Sequence, residues 1–144
     1  MGGAQEDRRL NYLGVISLAE ALESLIDDLE PGPWIEIGQP GAPPFQNGWG
    51  PGGVGGNAPA YRIVTLIGGG ETIQLAGQMT GGAIGTVAWT MPAEARPSNL
   101  VAMGCASYGP PADVAGFVQV DGAGDVRPMV GATSIALEGC SYYR

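Results

Sequence analysis

Hydrophobic positions recur with two different periods along this chain. Leu18, Leu22, Leu25 and Leu29 fall four, three and four apart, with Val15 one step earlier and Ala21 and Ile26 beside the row. That spacing predicts an amphipathic helix with a heptad-like seam. Ser17 and Glu20 fit a capping box and place its start at Ser17, while Pro31-Gly32-Pro33 ends it. A helix over 17–30 is too short to hold itself in water and must lean on something. The support is either its own domain or sister copies in a two- or three-stranded bundle. Asp27, Asp28 and Glu30 crowd its last turn, where the helix dipole disfavours anions, and read as a solvated end. Residues 1–16 carry weak structural signals and read as an arm.

From Trp34 onward the period becomes two. Candidate strands lie at 34–37, 61–67, 72–79, 85–91, 100–106, 114–120, 125–130 and 133–142. In 72–79, Ile73, Leu75 and Met79 take one face and Thr72, Gln74 and Gln78 the other. Gly68-Gly69-Gly70 and Asp121-Gly122-Ala123-Gly124 each separate two such runs, as hairpin loops do. Many short strands with frequent Gly and Pro predict a mainly β domain over 31–144, a β-sandwich of jelly-roll type. Residues 38–60 are rich in Gly and Pro and form a long loop. Phe45 and Trp49, in Phe45-Gln46-Asn47-Gly48-Trp49, are expected to pin it to the sandwich, and its Gly-rich tail is expected to stay extended.

Composition narrows the chemistry. The 144 residues include 26 Gly and 12 Pro, yet 44% are hydrophobic and only 14% charged, which is a compact chain with many turns and not a solvated coil. All six cations are Arg; Lys and His are both missing. That removes the Ser-His-Asp triad, imidazole metal ligands, Schiff-base chemistry and the P-loop lysine. The net charge of −8 opposes binding to nucleic acid and to anionic lipid. Cys105 and Cys140 lack metal-site spacing and read as buried thiols, with a disulfide left open.

Several short motifs fail their context tests. Gly50-Pro51-Gly52-Gly53-Val54-Gly55 matches a dinucleotide fingerprint, but no strand precedes it and no helix follows. Asp121 and Asp125 lack EF-hand spacing and read as a polar hairpin. Arg8-Arg9, the run 10–18 and Ala19-Glu20-Ala21 imitate a secretory leader. Glu6 and Asp7 in its basic region and Asn11 in its apolar run argue against one, so these residues are expected to remain. No run is long enough to span a membrane. No cofactor and no metal is expected.

An ordered set of pieces then carries a resemblance. A leucine-seam helix is followed by a Trp and by Phe45-Gln46-Asn47-Gly48-Trp49. Next come a Tyr61-Arg62 strand, Leu75-Ala76-Gly77-Gln78-Met79-Thr80-Gly81-Gly82 and Met91-Pro92-Ala93-Glu94-Ala95-Arg96-Pro97. A final strand ends in Cys140-Ser141-Tyr142-Tyr143-Arg144. Over about residues 15–144 this resembles the head domains of small tailed-phage fibre, receptor-binding and head-fibre proteins. It departs at Ala95, where an aromatic commonly precedes Arg-Pro.

The resemblance implies a non-enzymatic virion protein at the particle surface. It implies a homotrimer with a short three-helix stalk built on Leu18, Leu22, Leu25 and Leu29, and three sandwiches around the axis. The arm 1–16 would hold other virion proteins, and the head would meet a host saccharide or protein. Trp49, Tyr61, Arg96, Tyr142 and Tyr143 are the candidate contacts, each with a structural reading beside it: Trp49 and Arg96 as loop pins, the two C-terminal tyrosines as strand packing. Rival readings are a capsid decoration protein bracing the shell, a small glycan-cleaving hydrolase with paired carboxylates, and a secreted bacterial β-sandwich module.

Overall fold

In the computed structural model the described residues are 2–52, 56–110, 114–131 and 133–144, with side chains described for the same residues except 2–13 and 28. The chain divides into two units, Met1–Glu30 and Pro31–Arg144.

The first unit is one helix, α1, Gly2–Leu29. It starts fifteen residues before the expected Ser17, so Ser17 lies inside the helix and its box with Glu20 caps nothing. The stretch 4–10 is built largely from good helix formers (Ala4, Gln5, Glu6, Arg8, Arg9, Leu10), and no Pro stops the helix upstream. Residues 2–16 are therefore helical backbone, continuous with the helix expected from Ser17. At 28 residues α1 is about 42 Å long at 1.5 Å per residue. Shortness no longer argues that it needs support; its surface does. Leu22 is 51% exposed, and Val15, Leu18, Leu25 and Ile26 are exposed to a similar degree or more.

Among its described residues the second unit has eleven strands: β1 Ile35–Glu36, β2 Gly50–Pro51, β3 Ala60–Thr65, β4 Glu71–Ala76, β5 Gln78–Thr80, β6 Trp89–Thr90, β7 Val101–Tyr108, β8 Val114–Val120, β9 Asp125–Val130, β10 Ser134–Ala136 and β11 Ser141–Tyr143. One sheet has the order β1-β3-β4-β11 and the other β2-β5-β10-β7-β8-β9-β6. Every described pairing is antiparallel. The core holds Ile37, Tyr61, Ile73, Leu75 and Tyr142 beside Met79, Trp89, Met103, Val118, Val120, Val126, Ile135 and Leu137. This is a mainly β, sandwich-like domain, as the alternating pattern predicts.

Three expected strands are altered, each for a physical reason. The run 72–79 breaks at Gly77, where the chain leaves the first sheet as β4 and enters the second as β5. The run 133–142 breaks in the same way between β10 and β11. The two crossings are tied together: Leu137 N–H donates to the Gly77 carbonyl at 2.8 Å, and Leu75 N–H to the Cys140 carbonyl at 2.8 Å. Glu138 Oε1 accepts from Gly77 N–H at 2.9 Å. The run 85–91 keeps only Trp89–Thr90 as a strand, beside β9. Gly85 N–H donates to the Pro128 carbonyl at 2.7 Å. A strand residue's nitrogen faces the same side as its carbonyl, and Pro128 has no hydrogen there to return the bond.

The 38–60 loop is held by its aromatics, as expected. Phe45 meets Trp89 edge-on, with ring centroids 6.5 Å apart. Trp49 is buried and its Nε1–H donates to Thr86 Oγ1 at 3.0 Å. Gly82 packs flat on that indole, where any Cβ would strike the ring. Part of the Gly-rich tail, and with it Gly53-Val54-Gly55 of the dinucleotide-like motif, lies outside the described residues.

The polar hairpin 121–124 is cross-braced. Asp121 Oδ1 accepts from Ala123 N–H and Asp125 N–H, each at 3.0 Å, and Arg127 donates to Asp121 Oδ2 at 2.7 Å and Asp125 Oδ2 at 2.9 Å. Thr90 Oγ1–H donates to Asp125 Oδ1 at 2.8 Å, and Gln46 Nε2–H to Thr90 Oγ1 at 2.9 Å. The Asp121 carboxylate is thus committed to Arg127 and backbone, and that of Asp125 to Arg127 and Thr90. Partial burial pushes the Asp121 carboxyl up, but the bonds from Arg127, Asp125 and Ala123 and the Arg127 charge outweigh it, and its pKa lies below the ordinary value. The unfolded chain therefore takes up this proton first as pH falls. The stabilisation is complete above the ordinary carboxylate range near pH 3.9 and is lost as pH drops through the lower native value. Thermal unfolding followed from pH 6 to 2 should show this loss, and Asp121→Asn should show a shallower acid decline.

Candidate functional site

Of the five candidate contact residues, three are core. Trp49, Tyr61 and Tyr142 are each 4% exposed or less. Tyr142 O–H donates to the Ala95 carbonyl at 2.6 Å, and burial, with Tyr61 nearby as a smaller influence, pushes its hydroxyl pKa well up. Ala95 is itself buried; its carbonyl joins the Met91–Pro97 loop to β11. Tyr142→Phe leaves that carbonyl unsatisfied and should cost about 1–3 kcal/mol in denaturant titration. Arg96 is half-buried and donates through Nε–H to the Met91 carbonyl at 2.9 Å, a loop pin. Tyr143 is 75% exposed and is the one of the five with an open side chain. Tyr61 and Arg96 border a cleft of about 370 Å³ with Thr90, Glu94 and Pro43. The structure does not gather the five into one surface.

A different constellation does form, on the outer face of the four-stranded sheet. Ile35 and Ile37 turn toward the core, so alternation puts Trp34 and Glu36 together on the other side. Trp34 is 45% exposed. The Arg62 guanidinium lies over its ring, 4.5 Å from the centroid, and Arg62 Nε–H donates to Gln74 Oε1 at 2.7 Å. Arg62 and Gln74 are register partners on β3 and β4, so two neighbouring strands hold the cation in place. Stacking of this kind orients the indole.

Two hollows adjoin here. One of about 280 Å³ is lined by Trp34, Gln74, Ala76, Glu138 and Ser141 among others. The other, of about 630 Å³, is lined by Trp34, Glu36, Asn57, Ala76, Gly77 and Glu138 among others. Trp34, Ala76 and Glu138 border both. Such volumes lie near or within the range of small-ligand sites, about 300–1,000 Å³. Glu138 is held by its bond from Gly77 N–H, which leaves Oε2 without a hydrogen bond among the described residues. Sequence reasoning passed over Trp34 because it opens a strand. The available signal was its parity: a large apolar ring on the polar side of a two-residue alternation.

Among the described residues no group of three or more His, Cys, Asp or Glu could hold a metal ion, and no helix is long and apolar enough to cross a membrane.

Neither a protein-family model nor a curated protein sequence matches the chain. Among solved structures it is similar to the receptor binding protein of Listeria phage PSA. The TM-score is 0.70 at 15% identity, over 92% of this chain and 76% of that one. The two share a fold, over a longer stretch than the β unit alone provides.

Proposed function

We propose that this chain is a trimeric receptor-binding protein of a phage virion, displayed at the particle surface and acting by adhesion without catalysis. The observation that carries the reading is the shared fold with the Listeria phage receptor binding protein across nearly the whole chain. The order of motifs in the sequence supports the same family of heads.

The surface of α1 supports the trimer. Val15, Leu18, Leu22, Leu25 and Leu29 occupy successive seam positions, and all but the half-buried Leu29 are exposed in the single chain. Burying one such side chain is worth about 1.5–3 kcal/mol, and a shared seam buries every copy at once about a closed axis. Continued upstream, the heptad places Asn11 and Arg8 at seam positions, so the apolar seam stops at Val15. The helical stretch before it is left for attachment to other virion proteins.

A non-enzymatic role fits the surface chemistry. Glu36 and Glu138 border the same hollow, yet both are open to solvent, unlike the desolvated acid that glycoside hydrolysis requires. Cryo-electron microscopy of the virion tests the placement. Density for the head at the tail tip or baseplate is the expected result; density confined to the capsid lattice would identify a decoration protein instead.

A further inference from the structure

We infer that the groove around Trp34 is a binding site for a neutral saccharide, an inference that rests on the receptor-binding reading and gives it a location and a ligand class. Four features converge. Trp34 is 45% exposed and held by Arg62 stacked over one side of its ring, so an oriented indole is left partly open to meet the C–H face of a pyranose ring. Glu36 and Glu138 supply carboxylate acceptors for vicinal hydroxyls, and Asn57 supplies both donor and acceptor. Glu138 is preorganised by Gly77 N–H with its second oxygen available. The two adjoining hollows give room for more than one ring.

Charge selects among glycans. Among the described residues the one cation at the groove, Arg62, is already engaged by the indole and by Gln74. What remains for a ligand is anionic, in a protein of net charge −8. A phosphodiester or uronic polymer meets repulsion there, whereas a neutral sugar meets acceptor oxygens, although one oxygen of each carboxylate is taken, by Gln39 at Glu36 and by Gly77 N–H at Glu138.

The experiment uses the full chain with three probes: immobilised neutral hexose and N-acetylhexosamine oligosaccharides, the same sugars joined by phosphodiesters, and protease-treated cell walls of the host. Trp49 and Trp89 are buried, so ligand-induced change in indole fluorescence reports chiefly on Trp34. Trp34→Ala should weaken binding to a neutral probe at least about tenfold, with unchanged mass and unfolding temperature, while Trp34→Phe retains part of it. Glu138→Gln keeps an acceptor for Gly77 and should lose about fivefold. The inference is overturned if Trp34→Ala binds like the parent, if only phosphodiester probes bind, or if protease treatment of the walls abolishes binding. It is also overturned if Trp34→Ala changes the mass in solution, since Trp34 would then be a contact between subunits. In each of these cases intact adhesion of the parent protein to host cells leaves the receptor-binding reading standing. A parent protein that adheres to neither cells nor walls removes both.

Discussion

Leu22→Asp or Leu25→Asp should convert the assembled protein into monomers whose sandwich remains folded. Three carboxylates brought to one apolar seam would each lose hydration with no cation to pair, at several kcal/mol per ion. The removed leucines withdraw about 1.5–3 kcal/mol of burial per chain as well. Together these shift the association equilibrium by more than about a thousandfold. The sandwich should be spared because α1 forms a unit of its own. Sedimentation velocity reads the mass and near-ultraviolet circular dichroism reads the buried Trp49 and Trp89. A trimer that survives both substitutions would assign assembly to the sandwich alone.

Gly77→Ala should damage the sandwich severely. Gly77 has φ +86, a left-handed conformation that costs a residue with a Cβ about 1–2 kcal/mol. Its missing side chain is also where the Ala58 carbonyl sits, and backbone cannot step aside as a flexible side chain can. The crossing carries the bonds from Gly77 N–H to Glu138 and from Leu137 N–H to Gly77, so a shift there disturbs both sheets. A loss of at least about 4 kcal/mol is expected, against the 5–15 kcal/mol typical of a whole domain. Chemical denaturation of purified protein measures it; an Ala variant within about 1 kcal/mol of the parent would show that the crossing relaxes freely.

The sandwich was legible because one face of each strand had to be apolar. Ile73, Leu75 and Met79 announced their burial, and the 114–120 and 125–130 strands were bounded by Gly and polar residues at the right places. The sheet change at Gly77 was hidden for the same reason. Leu75 and Met79 face one interlayer core from its two sides, so alternation runs on unbroken while hydrogen-bond partners change. Pro128 shortened a neighbouring strand through a missing hydrogen, which no hydropathy pattern records. The helix start was misplaced because Ser17 and Glu20 make a good cap wherever they stand, while the polar residues before them offer no period to follow. The tyrosines carried two readings: Tyr61 and Tyr142 have the composition of a binding surface, and their inward parity makes them core, in line with the strand-packing reading of Tyr142.

The most direct measurement is the mass of the intact chain in solution, by native mass spectrometry or sedimentation equilibrium. Three times the 14.6 kDa of one chain is the expected value, with the helical signal of α1 undiminished. A stable 14.6 kDa species in which the leucines of α1 are shielded by the same polypeptide would contradict it.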